Sequence, residues 1–194
     1  QYEYVMGENP STYTGPKHPV ESVSWDQAEA FCERLTALER KAQRLPDGYV
    51  YRLPTEAEWA YAARSGTKTP FHFGETADAS KGNFLGVYPR DFQDGMRQGE
   101  SFGTKPVGQY APNAFGLYDV HGNVREWTQD AYAARLPGGR LTNPEPQVGR
   151  DRYAVRGGGW ADLAARVRSA AREDVGRDVQ NRSLGLRLFL APAR

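Results

Sequence analysis

Apolar residues recur at three- and four-residue steps along "SVSWDQAEAFCERLTALERKAQ": Trp25, Ala28, Phe31, Cys32, Leu35, Leu38 and Ala42 share one face. That is the pattern of an amphipathic helix with Cys32 on its core side. Ser24 precedes the run and Gln27 follows it by three residues, a capping-box spacing that satisfies free N–H groups of the first turn. A second helix is predicted to open in "LPTEAEWAYAAR", with Thr55 as cap, Glu58 reaching back, and Trp59, Ala60, Ala62 and Ala63 packing. Four shorter stretches, "GYVYRLP", "YAVRGGGW", "RVRSAAR" and "LGLRLFLA", read as strands. Along the last, Leu184, Leu186, Leu188 and Leu190 alternate. In the third, strand geometry would put Arg168, Ala170 and Arg172 on one face.

Between these elements run long segments rich in Gly, Pro, Asn and Asp, from Thr67 to Asn113 and from Tyr132 to Asp151. Loops of that length inside a compact domain are usually functional or stiffened by a metal. The pattern predicts one α+β domain over residues 1–194, with two main helices, short antiparallel strands and long loops. A hydrophobic content of 39% and an aromatic content of 12% argue against disorder. A net charge of +1 gives no basis for a nucleic-acid partner. No apolar run approaches the ~20 residues of a membrane span, so direct membrane insertion is not expected. The opening "QYEYVMGENPS" reads as the interior of a domain, and an upstream segment is expected. Nothing in the chain fixes a cell compartment.

Chemistry-bearing residues are sparse. The lone Cys32 excludes an intrachain disulfide and a cysteine-rich zinc site. The three histidines, His18, His72 and His121, lie in separate loop phrases and read as structural or solvent-facing side chains. "RGGG" is glycine-rich, but no helix follows it to offer an N-terminus to phosphate. A tight backbone approach beside Trp160 is the better account.

Four phrases in order, "NPSTYTGPKHPVESVSWDQAEAFCERL", "YRLPTEAEWAYAARSGT", "PNAFGLYDVHGNVREWTQD" and "YAVRGGGW…RSAAR…LGLRLFLA", closely resemble the sulfatase-modifying-factor family, named for the formylglycine-generating enzyme. The resemblance covers nearly the whole chain and lacks only the usual N-terminal strands. It implies a C-type-lectin-like fold. In the family's oxidases a pair of cysteine thiolates in the C-terminal segment binds copper, and soft thiolates suit Cu(I). The stretch from Trp160 to Leu188 contains no cysteine, so neither copper nor oxidase activity is expected. Iron-dependent sulfoxide synthases carry a similar domain, but their histidine site comes largely from a separate helical domain.

The C-terminal segment looks most like the variable proteins of diversity-generating retroelements. Their segments hold a fixed pattern around diversified runs. Here the fixed pattern matches Arg156–Gly158 and Trp160, then Val167–Ala170, Arg172, and Gly185–Leu188, marking residues 156–188 as a candidate variable segment. Between Ala161 and Gly185 only Glu173 and Gln180 fall outside the residues that adenine mutagenesis of pyrimidine-ended Asn codons can yield. The resemblance implies a non-catalytic protein binding a protein or other macromolecular ligand. On that basis Asp162, Leu163, Arg166, Ala171, Asp174, Val175, Arg177, Asp178 and Val179 are expected to form one exposed face. An undiversified accessory or regulatory domain is the alternative; an enzyme ranks below both.

"LYDVHGNVREW" places Asp119 and Glu126 around a glycine-containing turn, an oxygen-rich set that suits Ca²⁺. The resemblance implies a structural calcium held by Asp119, Glu126 and the carbonyls of Gly122 and Val124, with Asn83 and Glu100 as candidates for a second site. The alternative has Asp119 capping a turn and Glu126 pairing with a buried arginine such as Arg156. Arg125 stands where the family commonly has Trp, which points to an altered surface there.

Overall fold

The computed structural model describes the chain apart from residues 87–101, 137, 140, 141, 143, 145 and 194. Glu100 therefore lies outside the described residues. A short helix, α1 (Tyr2–Met6), precedes the two predicted ones, α2 (Trp25–Lys41) and α3 (Glu56–Arg64). Both predicted caps form. The Ser24 hydroxyl accepts from the Gln27 amide while the Gln27 side chain accepts from the Ser24 amide, and Thr55 and Glu58 repeat the exchange. Helix α3 stops at Ser65, whose left-handed backbone (φ 44°) turns the chain away.

The predicted apolar stripe of α2 is only partly buried. Ala28, Phe31 and Cys32 enter the main core with Val23, Leu53, Trp127, Tyr153, Val155 and Leu184, whereas Leu38 and Ala42 remain exposed. Thr36 takes the inner position beside the strand β1 (Tyr49–Arg52). Its hydroxyl donates to the Tyr51 carbonyl and accepts from the Tyr51 amide. A polar residue does the docking because it satisfies both backbone groups at once.

Strand β1 pairs antiparallel with β6 (Phe189–Pro192). A four-stranded sheet holds β2 (Arg125–Ala131), β3 (Arg152–Arg156), β4 (Glu173–Gly176) and β5 (Leu184–Gly185) in the order β4-β3-β2-β5. The first three run antiparallel, and β5 lies parallel to β2. The inner strand β2 carries no apolar alternation that would predict it. Its Trp127 is buried, but so are Glu126 and Thr128, whose hydroxyl bonds the Ala154 carbonyl. Polar groups fill core positions because partners from distant segments satisfy them.

Two strand expectations change. "RVRSAAR" is not a strand: it starts on the last residue of a 3-10 turn (Ala164–Arg166), then turns through Ala170. Val167 is buried there against Phe71, Phe84 and Ala164, and the Ser169 amide bonds the Pro70 carbonyl. Arg168 and Arg172 accordingly share no strand face. "LGLRLFLA" splits into β5 and β6, so Leu184 is buried, Leu186 and Leu188 pack partway, and Leu190 is exposed. Among the described residues no helix is long and apolar enough to cross a membrane.

Candidate ligand-binding site

Strand β3 ends at Arg156 and the chain enters Gly157, Gly158 and Gly159. Gly157 and Gly158 have φ of 84° and 65°, conformations that L side chains rarely adopt. A Cβ on Gly158 would stand 2.5 Å from Val167 Cγ1, and one on Gly159 would stand 2.9 Å from Ser183 Cβ. The glycine run is thus a close backbone approach, as its sequence suggested. Trp160 follows, buried, with its indole N–H on the Arg182 carbonyl at 3.0 Å.

The turns after Trp160 are held from outside. The Trp160 amide bonds the Asn123 carbonyl, Leu85 donates to Asp162 O, Ala164 donates to Gly86 O, and Ser169 donates to Pro70 O. His121 Nδ1 donates to the Val167 carbonyl at 2.6 Å, while its Nε2 accepts from the His72 amide. These partners fix the neutral tautomer. Burial lowers the His121 pKa from 6.5 to about 4, and burial also lowers that of His72, which stacks on it.

Beneath the segment lies a charge cluster that local sequence did not announce. The Glu56 carboxylate, at the start of α3, is buried and receives Arg156 Nη1 at 2.7 Å and Arg172 through both Nε and Nη2. Burial pushes its pKa up, but the Arg172 and Arg156 guanidiniums outweigh that and hold it below the usual carboxylate value. Arg156 also donates to the Ser169 carbonyl at 2.6 Å and lies over the Trp59 ring. Arg172 reaches the Ala133 carbonyl and lies over Tyr132. Arg125 makes a second anchor, bonding Asp162 Oδ1 and Ser183 Oγ at 2.7 Å each. Its altered surface is therefore a tie into the C-terminal segment.

Above these anchors opens a cleft of about 350 Å³, walled by Arg125, Arg156, Arg166, Arg168, Ala171 and Glu173, among others. Of the nine expected face residues, Arg166 and Ala171 line it. Asp162 does not belong to an exposed face: it is buried, accepting from Arg125 and from the Gly159 amide at 2.9 Å. Leu163 is half-buried. In β4, Asp174 and Val175 point to opposite sides, as neighbours in a strand must. Asp174 pairs with Arg152 at 2.7 Å and Val175 packs on the main core. Arg177 pairs with Asp26 at the start of α2, and Asp178 and Val179 stand exposed beside it. The nine residues thus divide between the cleft, the core and a separate turn.

The other expected site is differently engaged. Both oxygens of Glu126 receive Arg187, at 2.7 to 3.0 Å, and Trp59 Nε1 donates to Oε2 at 2.6 Å. Asp119 accepts from the Gly108 amide at 2.7 Å, and burial raises its pKa. The Gly122 amide bonds the Gly157 carbonyl, and the Arg125 amide that follows Val124 bonds Ser183 O. A guanidinium on both oxygens of the carboxylate is a poor fit to a calcium ligand set. Among the described residues no group of three or more His, Cys, Asp and Glu side chains could hold a metal. Cys32 is buried in the core, and its desolvation, with Glu29 nearby, pushes the thiol pKa well above its usual value.

Residues 2–192 match the sulfatase-modifying factor enzyme 1-like domain. The chain belongs to this family. It is 31% identical to the formylglycine-generating enzyme of Bos taurus over 96% of the chain and 47% of that protein. It is 34% identical to the inactive C-alpha-formylglycine-generating enzyme 2 of Bos taurus over 75% of the chain and 40% of that protein. The chain spans about half the length, or less, of these curated relatives. Among solved structures, Treponema denticola variable protein 1 superposes with a TM-score of 0.74 at 29% identity, covering 96% of this chain and 79% of that one. The fold is therefore the C-type-lectin-like fold of this family, with mixed sheets and long loops.

Proposed function

We propose that this chain is a non-catalytic ligand-binding domain that presents its binding surface on the C-terminal segment, residues 156–188. The observation that carries this is a separation of tasks within the segment. Its backbone is fixed by bonds to Asn123, Leu85, Gly86, Pro70 and His121, whereas Arg166, Arg168 and Ala171 project into an open cleft. Side chains there can change without removing those backbone bonds, and binding residues concentrate on loops held by such scaffolds. The sole cysteine is buried in the main core, away from the C-terminal segment's cleft lining. Likeness to variable protein 1 of Treponema denticola supports the same reading.

The test begins with a screen of the purified chain against displayed protein and peptide libraries. Binders are then measured against Arg166→Ala and Ala171→Asp, with folding followed in parallel. The reading expects a sharp loss of binding with the fold intact; binders insensitive to both would sink it. Diversification has its own genomic test. It requires a nearby template copy of the coding segment for Trp160 to Leu188, differing at adenines, with a reverse transcriptase gene beside it.

A further inference from the structure

The cleft has an excess of positive charge that the protein does not neutralise. Five guanidiniums, of Arg125, Arg156, Arg166, Arg168 and Arg172, line it with one carboxylate, Glu173. Glu56 and Asp162 answer Arg156, Arg172 and Arg125 from below. Five guanidiniums therefore meet three contacting carboxylates, Glu173, Glu56 and Asp162, and positive charge is in excess.

The unmet capacity is at the cleft itself. Arg166 reaches Glu173 only at 3.6 Å, and among the described residues Arg168 has one hydrogen bond, from Nε to the Ala165 carbonyl. Two buried donors of cleft-lining side chains also lack hydrogen-bond partners, Arg156 Nε and Arg125 Nε. Arg125 Nε lies 2.9 Å from Glu173 Oε2 but is not aligned for a hydrogen bond to it. Both nitrogens are closed off from solvent, so the free donor capacity at the cleft belongs to Arg166 and Arg168. The matching acceptor is an oxyanion, because a guanidinium presents a fork of N–H groups that fits two oxygens of a carboxylate or phosphate at once.

We propose that this cleft binds a carboxylate, presented as an aspartate or glutamate side chain of a protein ligand. The proposal rests on the ligand-binding reading above and gives it a chemical class. An anionic side chain would offset the positive excess that Arg166 and Arg168 leave at the cleft. A cleft of about 350 Å³ accommodates such a side chain with its flanking backbone.

The test is calorimetric titration of the intact chain with N-acetyl-Gly-Glu-Gly-amide, its Gln counterpart and inorganic phosphate, at low salt. The Glu peptide should bind at least tenfold more tightly than the Gln peptide and more tightly than phosphate. The pair Arg166→Gln and Arg168→Gln should weaken Glu-peptide binding roughly tenfold or more, with an unchanged melting temperature. The corresponding pair of Lys variants should bind with intermediate affinity. Equal binding of the Glu and Gln peptides, tighter binding of phosphate, or indifference to the Gln pair each overturns the proposal. If library binders engage the segment but are not displaced by the Glu peptide, this inference fails and the ligand-binding reading stands. If the Glu peptide binds as expected while no library binder depends on the segment, the reverse holds.

Discussion

Glu56 and Arg156 are 100 residues apart in the chain and 2.7 Å apart in the fold, both buried. Arg172 closes on the same carboxylate from the other side. One carboxylate thereby ties the start of α3 to the end of β3 and to the strand of chain leading into β4. Removing it leaves two guanidiniums facing each other with no anion between them, which is the expensive way to break a buried pair. Glu56→Gln should destabilise the domain by about 3–5 kcal/mol in denaturant melts. The pH dependence follows from the depressed carboxyl pKa. Its contribution is fully present above the ordinary carboxylate value and is lost as pH falls through the lower folded value. The Gln variant should lack that part of the acid transition; an unchanged acid limb would show that Glu56 is not a main source of it.

His121 adds a second acid sensitivity. It is neutral in the folded state down to about pH 4, whereas an unfolded imidazole takes its proton near 6.5. Between those values the unfolded chain binds the extra proton, so stability is complete above 6.5 and falls as pH drops toward 4. The size is on the order of 3 kcal/mol across the window. Melting His121→Gln beside the unsubstituted chain from pH 7 to pH 4 checks this. The variant should start less stable and decline less steeply through that range.

What the sequence revealed and what it hid divide by distance along the chain. Both long helices were legible because their signals are local: Ser24 with Gln27, and Thr55 with Glu58, act within three residues. The close approach at Gly157 and Gly158 was legible because few residues besides glycine suit that backbone. Strand β2 was hidden because its buried Glu126 and Thr128 look like surface residues until Arg187 and the Ala154 carbonyl reach them. Glu56 was hidden likewise, reading as an ordinary first-turn acid whose partners lie more than 100 residues away in Arg172's case. The split of the expected binding face has the same origin. Nothing near Asp162 reveals that Arg125, 37 residues upstream, will bury it.

Arg187 bears on the calcium question. We infer that its guanidinium, bonded to both oxygens of Glu126, supplies the positive charge that a cation would otherwise bring. Thermal melting with excess chelator and with added Ca²⁺ should therefore give coincident curves. A transition lowered by chelator, with calcium found by elemental analysis, would restore the ion and require Arg187 to move aside. Arg187→Ala should be destabilising, because it leaves Glu126 buried with only the Trp59 N–H for a partner among its present side-chain contacts.

Asp162 and Asp178 offer the sharpest separation of scaffold from surface within the segment. Both are aspartates in runs of no clear periodicity, and sequence alone placed them on one face. Asp162 is buried, with one oxygen on Arg125 and the other on the Gly159 amide. Asp178 is exposed in the turn after β4. Asp162→Ala removes one of two carboxylate partners of a mostly shielded guanidinium and the acceptor of the buried Gly159 amide, so a loss of about 1–3 kcal/mol is expected. Asp178→Ala should stay within about 0.5 kcal/mol, as surface changes do. Paired denaturant melts measure the difference directly. Equal effects of the two substitutions would mean that the Arg125–Asp162 contact does not hold the segment, and that its backbone depends less on this anchor than on the bonds from Leu85, Pro70 and His121.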